Sequence, residues 1–102
     1  MKEYQKLVRD RIPEIIREKG SNPVTHVATD DEYRTKLYEK LGEEVAEVTD
    51  EPSLEEAADL WEVFLAVCNL EGWSLDELEK VRLAKATERG AFEKRIILDS
   101  VS

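Results

Sequence analysis

A chain of 102 residues is long enough for one compact domain and too short for two. Hydrophobic residues make up 41% and charged residues 38% of it, which is too apolar for a disordered chain and too charged for a membrane protein. The net charge of −9 argues against general nucleic-acid binding, because a phosphate backbone requires clustered cations. No apolar run approaches the roughly 20 residues that span a bilayer. With no recognisable signal peptide and a single cysteine, the expected location is the cytoplasm.

Four helices are predicted in chain order, each bounded by capping residues and by glycine or proline. The first begins beside Pro13, whose missing N–H does no harm in a first turn. Ser53 and Ser74 each precede a glutamate by three residues, which is the spacing of a capping box. The predicted helices cover residues 12–19, 30–49, 53–71 and 74–89. Short extended segments are possible at residues 24–28 and 92–98.

The second and third helices are joined by a turn of only a few residues around Pro52. Two long helices with such a connection must fold back as an antiparallel hairpin. The expected fold is therefore all-α, a helical hairpin or four-helix-bundle core in a single domain of residues 1–102. The bundle could close within one chain or with a second copy. We expect a homodimer or a higher homo-oligomer, because one hairpin of this size leaves apolar helix faces uncovered.

Acidic residues interrupt the apolar stripes of both long helices. Glu44 lies seven residues after Leu37, where a leucine would continue the stripe, and Glu47 lies on its flank. On the third helix, Glu56 lies four residues before Leu60 and extends the stripe, with Asp59 three residues further on. The turn would bring these two pairs of carboxylates together.

Carboxylates gathered in a partly dry cleft require protonation or bound cations. Oxygen ligands alone select hard ions, with Mg²⁺ expected and Mn²⁺ possible. The plainer alternative is that these acids form a solvated helix face, and that Glu56 is only the second half of a capping box with Ser53.

The acids also follow a recognisable order. Residues 43–47 read EEVAE and residues 56–59 read EAAD, giving the pattern EExxE…ExxD. This pattern resembles the signature of the all-α nucleotide pyrophosphohydrolase superfamily, which includes MazG, the helical dUTPase/dCTPase-type enzymes and phosphoribosyl-ATP pyrophosphohydrolase. The resemblance covers roughly residues 30–80. The flanks at residues 6–13 and 89–96 depart from the phosphoribosyl-ATP enzyme and look like those of stand-alone MazG-like proteins.

The resemblance implies Mg²⁺-dependent cleavage between the α and β phosphates of a nucleotide, which releases a nucleoside monophosphate and pyrophosphate. It implies that the metal ligands are Glu44, Glu47, Glu56 and Asp59. Glu43 would be an auxiliary ligand or would orient the attacking water.

Cationic side chains are expected to offset the charge of the phosphates. For each of them the alternative is a surface charge paired with a nearby acid. The candidates are Lys6, Arg9, Arg11, Lys85, Arg89 and Arg95.

Three functions compete at this point. The first is hydrolysis of a nucleoside triphosphate or a related nucleotide. The second is the phosphoribosyl-ATP step of histidine biosynthesis. The third is a helical module that binds nucleotides or assembles with partners without catalysis.

Overall fold

The computed structural model describes residues 4–102 and consists of helices, with connections of three residues after the second and the third. The helices are Ile12–Glu18 (α1), Asp30–Asp50 (α2), Leu54–Glu71 (α3) and Leu75–Arg89 (α4). The all-α prediction is confirmed, and the predicted helix ends agree with the observed ones to within one residue. Neither segment proposed as extended forms a strand: residues 24–28 have no regular secondary structure, and residues 92–94 form a bend and a turn.

The helix starts follow the predicted caps. A hydroxyl oxygen just ahead of α2, α3 and α4 accepts the backbone N–H three residues on, which satisfies one of the free donors of the first turn. These bonds run from Glu32 to Thr29 Oγ1 at 3.3 Å, from Glu56 to Ser53 Oγ at 3.1 Å and from Glu77 to Ser74 Oγ at 3.0 Å.

The chain divides into two compact units, one ending at Glu71 and the other spanning Gly72–Ser102. Gly72 has a φ of +76°, a conformation that residues with a Cβ rarely adopt, and it ends α3. The expectation of a single domain stays a prediction.

The first unit is built around the hairpin of α2 and α3. Its core consists of Leu37 from α2 with Val63 and Val67 from α3, all on the predicted apolar stripes. The partly buried side chains packed against this core are Leu7, Tyr33, Leu41, Ala66 and Leu70. Cys68 is also buried.

A polar cluster ties the start of α2 to the end of α3. The Arg34 guanidinium donates to the Glu71 carboxylate, and the Tyr38 hydroxyl donates to the same group at 3.1 Å. These hydrogen bonds, the one from Arg34 above all, lower the pKa of Glu71. The cluster fastens the end of the hairpin opposite the turn, and so helps to fix the register in which the two helices meet.

The second unit contains α4 and the tail. Helix α4 ends at Gly90, whose φ is +85°. Arg82 forms an ion pair with Glu79 on the exposed surface of this helix. Over residues 4–102, no helix combines the length and the apolar character needed to cross a membrane.

Candidate metal centre

Three carboxylates converge where the end of α2 meets the start of α3. Glu44, Glu56 and Asp59 each offer an oxygen, and these oxygens lie within 4.8 Å of one another. Glu44 is 8% exposed, while Glu56 and Asp59 are partly buried. Among the described residues, this is the group of acids whose geometry could hold a metal ion.

The fold explains why these three side chains meet. Glu44 continues the α2 stripe two helical turns after Leu37, so it faces α3 as a core residue would. Glu56 and Asp59 are three apart and share one face in the first turns of α3. Because residues 51–53 form the whole connection, the last turns of α2 lie beside the first turns of α3.

Glu56 plays two parts in this arrangement. Its backbone N–H makes the capping bond to Ser53, so half of the capping-box interpretation is confirmed. Its side chain belongs to the three-acid group. Partial burial raises the pKa of the Glu56 carboxyl, and the negative charges of Glu47, Asp59 and Glu44 raise it further. A cation at this place would relieve that repulsion.

The remaining predicted acids lie at the edge of the group. Glu47 is exposed on α2 and stands outside the 4.8 Å set, although its charge reaches Glu56. Glu43 is half-buried and its carboxylate lies 3.3 Å from Lys6 Nζ and 3.7 Å from Lys40 Nζ. The roles assigned to these two glutamates stay predictions.

Lys40 is a neighbour of the site that the sequence reasoning did not single out. Its Nζ lies 3.7 Å from carboxylate oxygens of both Glu43 and Glu44. The spacing of four residues between Lys40 and Glu44 is the signal that could have revealed it, since such pairs meet on a helix surface.

The N-terminal cations differ from one another in their partners. Arg9 Nη2 donates to Asp59 Oδ1 at 2.7 Å, and Lys6 reaches Glu43, so both contact the acids of the site. Arg11 instead pairs with Glu14 on α1 at 3.1 Å, as the surface-charge alternative anticipated. Lys85, Arg89 and Arg95 belong to the second unit, and their role in binding phosphate stays a prediction.

The donor set fits a hard divalent cation. Oxygens on opposite sides of an octahedral Mg²⁺ are about 4.2 Å apart, because each Mg–O bond is about 2.1 Å long. The 4.8 Å span of the three carboxylates is close enough for small side-chain rotations to close it. Mg²⁺ commonly keeps several waters and takes only a few carboxylates, which also suits this partly open site.

An apolar groove of about 460 Å³ runs beside the acids. Each of the three acids is followed in sequence by a groove residue, namely Val45, Ala57 and Leu60. Trp61 lines the groove and is 54% exposed, so it is not a core residue. Its ring stacks on Phe64 with 6.3 Å between centroids. The groove is completed by Leu41 and Phe64.

Comparisons with known proteins leave the family open. No protein-family model matches the chain, and no solved structure matches it. An uncharacterized protein of Mycolicibacterium smegmatis is 60% identical over 42 residues, which is 41% of this chain and 43% of that protein. The match therefore spans less than half of that relative's length. It shows that part of this sequence recurs in another protein.

Proposed function

We propose that the protein is a Mg²⁺-dependent nucleotide pyrophosphohydrolase. It would cleave a nucleoside triphosphate or a related nucleotide between the α and β phosphates, and release a nucleoside monophosphate and pyrophosphate. The observation that carries the proposal is the convergence of Glu44, Glu56 and Asp59 from two helices within 4.8 Å, in the order and spacing of the EExxE…ExxD pattern.

The residues have distinct parts in this proposal. Glu44, Glu56 and Asp59 would hold the metal, with Glu47 as a further ligand at the exposed edge. A bound Mg²⁺ supplies charge neutralisation of the phosphates and polarisation of the attacking water. Glu43 would orient that water for attack on one of the two phosphorus atoms. The bond from that atom to the bridging oxygen would then break, and the oxygen would leave with the other phosphate group. Cations around the site offset the phosphate charge that the metal leaves uncompensated.

A second copy of the chain is the partner we propose for the apolar groove. A two-fold interface places the same patch of each subunit against itself. The side chains that line the groove carry no charge, so two copies of the groove can meet without repulsion between these lining residues. The volume also falls in the range of small-ligand pockets, so occupation by a nucleobase is the competing outcome.

The test is pyrophosphate release from a panel of canonical and modified nucleoside triphosphates plus phosphoribosyl-ATP, with Mg²⁺ and with EDTA. Phosphorus NMR of the products would distinguish cleavage between the α and β phosphates from loss of the terminal phosphate. Mg²⁺-dependent release from triphosphates supports the proposal. Release from phosphoribosyl-ATP alone assigns the histidine-pathway step instead. If no nucleotide of the panel releases pyrophosphate and the protein still binds metal, a non-catalytic binding module is favoured.

A further inference from the structure

The segment ahead of α1, residues 4–9, has no helix or strand and is nevertheless held against the hairpin. We call it the N-terminal strap. Leu7 packs against the core of Leu37, Val63 and Val67. On either side of Leu7, the ion pairs of Lys6 with Glu43 and of Arg9 with Asp59 fasten the strap to α2 and α3. Three contacts thus hold six residues that form no secondary structure.

The contact of Arg9 is of particular interest because Asp59 is one of the three converging acids. The guanidinium lies 2.7 Å from Asp59 Oδ1, so it neutralises part of the same charge that a divalent cation would neutralise. A monovalent guanidinium and a divalent ion beside one carboxylate repel each other. Binding of the metal is therefore expected to weaken the Arg9 contact, and the Arg9 contact to weaken binding of the metal.

We propose that the N-terminal strap is an internal competitor of the metal: Arg9 occupies Asp59 in the metal-free protein and releases it when a divalent cation binds. This inference rests on the metal site of the proposed function. The pair is about half exposed, with 57% of the Arg9 side chain and 44% of the Asp59 side chain accessible, so exchange requires no unfolding. Leu7 keeps the strap docked during the exchange, so the released guanidinium stays beside the site, where an anionic ligand of the metal would meet it.

The chain offers a matched control for this exchange. Arg11 is two residues from Arg9 and carries the same charge, but it pairs with Glu14 on α1. Arg9→Ala and Arg11→Ala therefore change the net charge equally, and only the first frees Asp59. Comparing the metal affinities of the two variants separates the effect of the Arg9–Asp59 contact from the effect of the lost positive charge alone.

The experiment is a titration of each variant with Mn²⁺ alone, without nucleotide, read by electron paramagnetic resonance of the free ion. Arg9→Ala should lower the dissociation constant about threefold to tenfold, the size expected from one nearby positive charge. Arg11→Ala should change it by less than about twofold. Leu7→Ala, which loosens the strap without altering charge, should also tighten binding.

The outcomes distinguish this inference from the proposed function. If the wild-type protein binds Mn²⁺ and Arg9→Ala binds it equally or more weakly, the competition is refuted and the metal site stands. If Arg9→Ala and Arg11→Ala tighten Mn²⁺ binding equally, the tighter binding comes from the change in net charge, and the proposed competition by Arg9 is likewise refuted. If neither the wild-type protein nor Arg9→Ala binds Mn²⁺, the metal site itself fails, and the strap loses its role with it.

Discussion

Replacing Glu44 by glutamine should stabilise the metal-free protein and at the same time remove its stabilisation by metal. Glu44 is 8% exposed and lies within 4.8 Å of two other carboxylates, with Lys40 at 3.7 Å. Each like-charge pair at that distance costs about 1 kcal/mol in a water-like medium and about 3.5 kcal/mol at an effective dielectric constant near 20. The attraction between Glu44 and Lys40 offsets about 1 to 4.5 kcal/mol of this repulsion.

The two repulsions exceed the attraction to Lys40, and the contact of Arg9 with Asp59 reduces this excess, so removing the charge should gain on the order of 1 kcal/mol. Glutamine keeps the shape of glutamate and removes the charge. A gain of 1 kcal/mol corresponds to a rise in Tm of about 4 to 8 °C for a domain of this size. In EDTA, Glu44→Gln should therefore melt several degrees above the wild-type protein.

The assay is thermal unfolding followed by circular dichroism, in EDTA and in a series of Mg²⁺ concentrations. The wild-type Tm should rise with Mg²⁺ by mass action, and the Tm of Glu44→Gln should rise much less. Glu62→Gln, which removes an exposed acid from α3, is the control and should behave like the wild-type protein. The reasoning is refuted if Glu44→Gln melts below the wild-type protein in EDTA and still responds fully to Mg²⁺.

Three further predictions concern the hairpin and its surface. The lowered pKa of Glu71 means that its ionised carboxylate stabilises the folded state above its ordinary pKa of 4.5, and that this stabilisation is lost as the pH falls through the lower pKa of the folded state. Glu71→Gln removes this contribution, so its Tm should fall less steeply in acid than the Tm of Glu62→Gln. Leu37→Ala, at a core side chain that is 2% exposed, should lower the free energy of unfolding by about 2 to 5 kcal/mol in urea titrations; a loss under 1 kcal/mol would contradict the core assignment. Analytical ultracentrifugation should show that the wild-type protein is a dimer and that Trp61→Arg, in the groove, is a monomer. Trp73→Arg is the control, because Trp73 is similarly exposed but lies outside the groove, and it should remain a dimer. A monomeric wild-type protein would exclude the second copy as the partner of the groove.

Much of the hairpin could be predicted because its signals are local. Ser53 and Ser74 mark helix starts by side-chain bonds that span three residues, and the short connection at Pro52 forces α2 and α3 to run back along each other. The acid group followed from the same periodicity, since Glu44 stands where a core leucine was due. Glu47 shows the limit of that argument: periodicity places it on the flank of the same stripe, but it does not decide whether its carboxylate comes within 4.8 Å of the other acids.

The N-terminal strap could not be predicted in the same way. Residues 4–9 have no apolar period, and their contacts join side chains far apart in the sequence, such as Arg9 and Asp59, which are 50 positions apart. No local propensity encodes such a pair. It depends on where Leu7 docks, and that depends on a core assembled from both long helices. The groove beside Trp61 likewise exists only once α2 and α3 are packed.

The measurement that tests the central claim most directly is the rate of Mg²⁺-dependent pyrophosphate release by the wild-type protein, Asp59→Asn and Glu62→Gln on the best substrate of the panel. Loss of a partner outside the ligand shell typically costs about 10- to 100-fold in activity, so loss of a ligand should cost at least about 100-fold. The account predicts that loss for Asp59→Asn, with Glu62→Gln unchanged and both variants folded by circular dichroism. Full turnover by Asp59→Asn would show that the three converging acids are not the site of the reaction.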